Sequence, residues 1–434
     1  TNTCSPNPMT SVGGRQSLLY AVLIAGVWVY IAMLIRTNGQ QNQGPPNSVT
    51  VPPSTPSDTV AVPLSLSSVA DAVSAFSFDA LTHTQGNAVV SGMSLELALM
   101  MTLLGATGET RSEMESALHL PATPTDTLTD TLGVSTLLSH LDTVTGGASL
   151  SISNGLYPSA DVHLYQQYME SLTPFSASVE TLPFSSDPDG SRVHINSVIE
   201  EQTSGMIPDL LPPNSVGRDT GLILTNAIHF LGEWEREFDK SLTRDRSFHA
   251  SDGVSVPTPF MHDRDREILY AQGEGWTAVE MPYADSSLAF TVYMPDHTLE
   301  DSLDMTHELW KEVRGSLSPT DLGLLSLPVF RTSFALPASS VLQDMGMRRA
   351  FTGMAQFGLM SDTALGISDV YHQAVIDVSE HGTEAAAATA VVMLKLCVVE
   401  PPKPSFVADR PFIYAVTDTE TGMPLFVGRY THPE

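Results

Sequence analysis

The sequence predicts a mixed α+β fold, and two observations support this prediction. The chain has 434 residues, of which 42% are hydrophobic and 16% are charged, so it can bury a large core and lacks the composition of a disordered protein. Before Gly146, apolar residues recur at the spacing of amphipathic helices, whereas the later sequence consists mainly of short β-rich runs punctuated by proline. We therefore expect one large domain over residues 64–434.

The residues before this domain have a different composition. Residues 1–16 are expected to form a short N-terminal tail. Leu18–Ile35, within residues 17–36, is an unbroken apolar run about as long as a membrane-spanning helix. It predicts a transmembrane signal anchor, with a cleaved signal peptide as the alternative. Residues 37–63 are rich in proline, glutamine and serine and are predicted to form a linker. The protein is thus expected to be extracellular or lumenal, either anchored or secreted.

Periodicity within the domain predicts individual elements. Six segments have helical spacing: Leu64–Phe78, Ser94–Leu104, Thr107–Leu120, Leu128–Leu141, Gln166–Leu172 and Val193–Ser204. Three segments have strand character: Leu222–Phe230, Leu288–Met294 and Leu324–Phe330. The first two helical segments are expected to supply packing faces rather than sites.

Charge and motifs exclude several classes of function. The net charge of −29 argues against nucleic acid as a partner, because phosphates require lysine and arginine, and it makes heparin unlikely for the same reason. Two cysteines, Cys4 and Cys397, are too few for a disulfide framework. The sequence contains no His-Glu-x-x-His, Cys-x-x-Cys, Gly-x-Ser-x-Gly or P-loop motif. We therefore predict no catalytic residues, no metal and no cofactor.

The stretch Glu380–Met393 combines Gly382, a position of high backbone freedom, with four consecutive alanines. In an extended strand, successive side chains point to opposite faces. One face would carry Thr383, Ala385, Ala387, Thr389 and Val391, and the other would carry Glu384, Ala386, Ala388 and Ala390. Such small side chains would let the strand enter between other strands without a clash. A buried helix is the alternative, because alanine is the best helix former.

The segment Gly382–Thr389 resembles the proximal hinge of the reactive loop in the serpin family, the suicide inhibitors of proteases. Further segments resemble serpin motifs in the family's order: Asn87 with Ser91 and Ser94, Ile195–Asn196 with Thr203, Gly205 and Ile207, Thr225–Trp234, Phe406–Phe412, and Leu425–Arg429 with Pro433. The resemblance covers the chain from about Leu64 to its end.

The resemblance implies a serpin fold of three β-sheets and about nine α-helices, with an exposed reactive-centre loop. The central sheet of this fold accepts the loop as an extra strand, through a hinge that here comprises Glu380 and Gly382–Thr389. It also implies a hydrogen-bonded shutter formed by Ser91, Ser94, Asn226 and His372, and a breach residue, Trp234. Two positions depart from the family pattern: Gly92 replaces a common proline, and Gln373 replaces a common lysine.

The function implied by the resemblance is covalent trapping of a serine protease by a monomeric inhibitor. The family's spacing from Gly382 gives Leu396–Cys397 as the cleaved bond, and leucine suits a chymotrypsin-like or elastase-like target. Lys395 and Cys397 are alternatives for the residue before the cleaved bond. A non-inhibitory serpin acting as a binding or chaperone protein, or an inhibitor of cysteine proteases, remains an alternative function.

Overall fold

The computed structural model describes residues 65–120, 127–175, 177–296, 303–383 and 403–433, with the backbone alone for 127–132. These residues contain eight α-helices. They are α1 Leu66–Thr82, α2 Gly92–Leu103, α3 Gly108–Ala117, α4 Thr127–Val144, α5 Gln166–Ser171, α6 Pro188–Gln202, α7 His307–Ser316 and α8 Ala338–Asp344.

The same residues form seventeen β-strands. They are β1 Ala88–Val90, β2 Ser149–Pro158, β3 Ser178–Val179, β4 Leu222–Glu233, β5 Arg244–His249, β6 Ser255–Asp263, β7 Arg266–Gly273, β8 Trp276–Pro282, β9 Leu288–Pro295, β10 Ser318–Leu322, β11 Leu324–Pro328, β12 Phe330–Leu336, β13 Asp369–Val378, β14 Gly382–Thr383, β15 Ser405–Val407, β16 Phe412–Asp418 and β17 Pro424–Tyr430.

The strands form three sheets. The seven-stranded sheet has the order β1-β17-β16-β9-β8-β7-β10, and the four-stranded sheet has the order β15-β11-β6-β5. The six-stranded sheet has the order β12-β13-β4-β2-β3, with β14 attached to β4. This mixed architecture with three sheets confirms the predicted fold class.

Helix α2 lies at the centre of the molecule, and all twelve of its residues are buried. Apart from Ser94, Glu96 and Thr102 its residues are apolar or glycine, as expected for a helix without a solvent side. The hydroxyl of Ser91 caps its N-terminus by accepting a hydrogen bond from the Ser94 backbone N–H at 3.2 Å. The helix contacts both β4 and β17, so it links the six-stranded and seven-stranded sheets.

The predicted helices and strands agree with the structure to within a few residues, except at one place. The strand character predicted for Leu324–Phe330 is confirmed, but the segment is divided, because β11 ends at Pro328 and β12 begins at Phe330 in a different sheet. Between them, the Val329 backbone N–H bonds to the carbonyl of Pro259 at 2.9 Å. The sequence changes from an apolar run in β11 to an alternation of buried and exposed positions in β12, but this change does not show which sheet each strand joins.

Candidate functional site

The six-stranded sheet contains two adjacent parallel strands, β4 and β13, at its centre. They pair from Asp369 opposite Ile223 to Val375 opposite His229. After β13 the chain turns back, and β14 pairs with the end of β4 in the antiparallel sense. A strand continuing from β14 would therefore run antiparallel to both β4 and β13, along the line where they meet.

The turn into β14 requires glycine at Gly382. Its φ angle is +148°, which side chains rarely allow. A Cβ atom there would lie 2.1 Å from the carbonyl oxygen of Gly232 and 2.7 Å from the Cα of Glu233. The backbone of β14 can approach β4 this closely only because residue 382 has no side chain.

Thr383 is fully buried beside a pair of aromatic rings. Its hydroxyl lies 3.0 Å from the hydroxyl of Tyr283, whose ring stacks on Trp234 with centroids 4.7 Å apart. The indole N–H of Trp234 donates to the carbonyl of Ser379 at 2.9 Å. Burial raises the pKa of Tyr283, so its hydroxyl stays protonated and able to donate. These contacts fix the first residues beyond β13.

The two residues before Gly382 are also held in place. Glu380 is 6% exposed, and its carboxylate accepts a hydrogen bond from the Thr243 hydroxyl at 2.6 Å. The His381 Nδ1 lies 3.1 Å from the Glu237 carboxylate, and the His381 carbonyl accepts from the backbone N–H of Trp234 at 3.0 Å. The whole turn is thus bonded to the segment that follows β4.

A second cluster lies nearer the start of β4, where three polar residues stand opposite one another. Strand register pairs Asn226 of β4 with Asn154 of β2 on one side and with His372 of β13 on the other. The Asn226 amide nitrogen donates to Asn154 Oδ1 at 2.6 Å and to Ser94 Oγ at 2.5 Å. Its oxygen lies 2.5 Å from His372 Nδ1. This polar row crosses three strands and bonds to α2 beneath them.

The hydrogen bonds fix the tautomer of His372. The backbone N–H of Ser91 approaches Nε2 at 3.2 Å and can only donate, so Nε2 is the acceptor. The proton is consequently on Nδ1, which donates to the Asn226 oxygen. Burial lowers the pKa of His372 to about 3, so the ring is neutral at physiological pH. The Ser91 hydroxyl extends the network by donating to the Leu425 carbonyl at 2.6 Å.

The structure therefore brings together Ser91, Ser94, Asn226 and His372, the four residues predicted to form a shutter, and that role stays a prediction. Trp234, the predicted breach residue, lies eight residues farther along the chain than Asn226, about 27 Å away at the rise of an extended strand, and belongs to the aromatic pair.

Sequence reasoning missed Asn154 and Tyr283. Asn154 lies in an unremarkable Ser-Asn-Gly sequence, and Tyr283 follows the last residue of β8. Only strand pairing brings either residue to the site.

The two departures from the family pattern have local explanations. A Cβ at Gly92 would lie 2.1 Å from the Ser77 hydroxyl oxygen and 2.7 Å from the Ser77 Cα, so α1 and α2 touch where glycine stands. A proline could not be accommodated there without separating these helices. Gln373 donates to the Ser333 hydroxyl of β12 at 2.9 Å and thereby links two neighbouring strands.

Several predicted residues lie outside the described part of the chain. These are Glu384, Ala385, Ala386, Ala387, Ala388 and Thr389 of the hinge, Lys395, Leu396 and Cys397 at the cleaved bond, and the apolar segment Leu18–Ile35. Within the described ranges, no helix has both the length and the apolar character needed to cross a bilayer. Those ranges also contain no group of three or more histidine, cysteine, aspartate or glutamate residues arranged to bind a metal.

Comparison with known proteins agrees with this geometry. The profile of the Serpin (serine protease inhibitor) family matches residues 71–433. An uncharacterized serpin-like protein of Thermococcus kodakarensis is 32% identical over 97% of this chain and 99% of its own length. Serpin B6 of Pongo abelii is 33% identical over 80% of this chain and 93% of its own length.

Solved structures give the same result. Human thyroxine-binding globulin complexed with thyroxine superimposes with a TM-score of 0.76 at 25% identity, over 85% of this chain and 99% of the globulin. With a family profile that matches most of the sequence and relatives above 30% identity, the chain belongs to the serpin family.

Proposed function

We propose that this serpin is an inhibitory one, which traps a serine protease as a covalent acyl complex and needs no metal or cofactor. The observation that carries the proposal is the arrangement of β13, β14 and β4. Strands β4 and β13 pair directly, and Gly382–Thr383 already pairs antiparallel with β4 at the end of their junction. A cleaved loop continuing from Thr383 would extend this pairing between the two strands.

The sequence that follows Thr383 supports such an insertion. Each new ladder hydrogen bond contributes about 1 kcal/mol net, whereas ordering each residue costs about 1–2 kcal/mol. Hydrogen bonds alone do not offset this cost, so insertion also requires the burial of apolar surface. Only small inward side chains can be buried without a clash. Thr383 itself is fully buried, and the residues two and four positions later, Ala385 and Ala387, would face the same side.

The proposed reaction cleaves one peptide bond of the loop. The protease's serine attacks the carbonyl carbon of Leu396, the bond to Cys397 breaks, and the Cys397 nitrogen leaves as the free amine. The Leu396 acyl group stays esterified to the protease while the loop inserts. Lys395 and Cys397 are the alternatives for the acyl residue. A leucine there fits a chymotrypsin-like or elastase-like protease.

A panel of serine proteases tests the proposal. We expect a complex that survives denaturing electrophoresis with at least one chymotrypsin-like or elastase-like enzyme. N-terminal sequencing of the released fragment identifies the bond: it begins at Cys397 if Leu396 is acylated, at Leu396 if Lys395 is, and at Val398 if Cys397 is. Cleavage without any stable complex across the panel would contradict inhibition.

Thermal unfolding supplies the second test. Cleavage of an inhibitory loop should raise the unfolding midpoint strongly, because the loop becomes a strand of the central sheet. An unchanged midpoint would favour a non-inhibitory binding or chaperone protein, a role made the second candidate by the likeness to thyroxine-binding globulin. A stable complex with papain-like enzymes alone would instead identify an inhibitor of cysteine proteases.

We further propose that the protein acts as a monomer outside the cell or in a lumen, held at the membrane through Leu18–Ile35 or secreted after its removal. The apolar length of that segment supports the anchor. Carbonate extraction of membranes from expressing cells distinguishes the two: an anchored form stays in the pellet, whereas a secreted form appears in the medium.

A further inference from the structure

A contact between His381 and Glu237 links the turn that precedes β14 to the segment that follows β4. The His381 Nδ1 atom lies 3.1 Å from a carboxylate oxygen of Glu237, and the two side chains are 18% and 28% exposed. The turn is closed by two backbone hydrogen bonds between Ser379 and Gly382. The contact therefore ties a closed turn to the end of the strand with which β14 pairs.

The other bonds between the turn and this segment do not use the His381 side chain. The backbone N–H of Trp234 donates to the His381 carbonyl at 3.0 Å, and that of Phe238 donates to the Glu380 carbonyl at 2.8 Å. The Glu380 carboxylate accepts from the Thr243 hydroxyl. The His381 side chain thus adds a link whose strength depends on its charge to bonds that stay the same when that charge changes.

The segments bonded to the turn contain more acidic than basic side chains. Residues 232–244, the two sides of the turn and the residues next to them supply the following charged groups. The acidic ones are Glu233, Glu235, Glu237, Asp239, Asp263, Asp285, Asp377 and Glu380, and the basic ones are Arg236, Lys240, Arg244 and Arg266. Arg236 and Arg266 both contact Asp263, at 2.8 and 3.5 Å. These two arginines are therefore held away from Glu237.

We propose that His381 and Glu237 are positioning residues for loop insertion, and that the charge on His381 controls how readily the loop inserts. This inference rests on the proposed function. We call the turn docked when Gly382 and Thr383 pair with β4, as they do here. Insertion from a docked turn begins in the correct register, whereas an undocked turn must first find that register. The rate of insertion therefore scales with the docked fraction.

The sign of the pH effect follows from the contact. A protonated ring forms a charge-assisted hydrogen bond with the carboxylate, which is about twice as strong as the bond from a neutral ring. Histidine side chains lose their proton between about pH 5 and 8, so docking should be favoured at the acidic end and weaken as the pH rises. The pair is only partly buried, and we expect the docking equilibrium to weaken about threefold across this range.

Hydrogen exchange of the full chain tests the docking step without a protease. The protection of Ser379–Thr383 is measured at pH 5.5 and pH 8, relative to an unstructured peptide of the same sequence at each pH. We expect about threefold less protection at pH 8 in the wild type. His381→Gln keeps a neutral donor, and Glu237→Gln keeps an acceptor, so both should fold, and neither should show this change.

The chain offers a matched control in a second pair, in which His194 Nε2 lies 2.8 Å from the Glu180 carboxylate. His194→Gln removes an exposed histidine of α6 and should keep the wild-type change in protection at the turn. Protection of the wild-type turn that does not change with pH, or the same change in His381→Gln, would overturn the inference.

Insertion itself is tested with a protease that the protein traps. The number of inhibitor molecules consumed per protease molecule trapped is measured for the wild type and for His381→Gln, and their ratio cancels the effect of pH on the protease. The variant should consume more than the wild type at pH 6 and the same number at pH 8. A ratio that does not change with pH would overturn the positioning role. The absence of any stable complex would instead refute the proposed function, and the exchange experiment would be unaffected.

Discussion

Replacing Thr383 by arginine should convert the inhibitor into a substrate. Thr383 is fully buried, and its hydroxyl bonds to Tyr283 at 3.0 Å. The substitution would lose that bond, worth about 1 kcal/mol, and would keep β14 out of the sheet before cleavage, because burying the charge costs several kcal/mol. Insertion of the cleaved loop would then have to bury that charge. If about 3 kcal/mol of this cost appears in the insertion barrier, insertion slows about 150-fold. The protease then hydrolyses the acyl bond before the loop is inserted.

The assay is the number of inhibitor molecules consumed per protease molecule trapped, together with denaturing electrophoresis. We expect Thr383→Arg to be cleaved at the same bond without a stable complex. Thr383→Ser, which keeps the hydroxyl, should still inhibit, and so should Thr143→Arg, which adds the same charge on the exposed surface of α4. A Thr383→Arg variant that traps protease as efficiently as the wild type would refute the reasoning.

Three further predictions concern stability. The folded-state pKa of His372 is about 3, whereas its ordinary value is 6.5. The contribution of the neutral ring to the free energy of unfolding is therefore complete above pH 6.5 and declines by about 5 kcal/mol toward pH 3. Urea unfolding of His372→Gln should lack this decline. The effect of pH on stability has the opposite sign at Glu96, whose pKa is raised from 4.5 to about 8. The free energy of unfolding therefore falls by about 5 kcal/mol as the pH rises from 4.5 to 8. Above pH 8, Glu96→Gln should unfold at a higher urea concentration than the wild type. Gly92→Ala should lower the thermal midpoint by a few degrees, because its Cβ would meet Ser77; an unchanged midpoint would show that α1 and α2 can separate freely.

Local patterns predicted much of the fold. The periodic run Ser94–Leu104 corresponds to α2, Gly92–Leu103, and the β-branched run Leu222–Phe230 corresponds to most of β4. Both signals arise from neighbouring residues, so a single sequence contains them. The break between β11 and β12 could not be found in this way, because it depends on which sheet each strand joins.

The candidate site was predictable only in part, because it too depends on which strands pair. Motifs identified Asn226 and His372, whereas their partner Asn154 became evident only from the register of β2 on β4. Glu96 shows a further limit. A single charge within an apolar helix indicates a solvent-facing position as readily as a buried one, and the difference depends on the packing of α1 and α4.

The bond between Asn226 and His372 spans the junction of β4 and β13. A further full-length strand arriving at that junction would part the two side chains and leave the imidazole without its amide acceptor. The ring would stay buried above α2, so the burial that lowers its pKa would persist, but its Nδ1–H would need a new acceptor from the incoming strand. The C2 proton resonance of this one imidazole would thus report, in solution and without any label, whether the sheet is closed or filled.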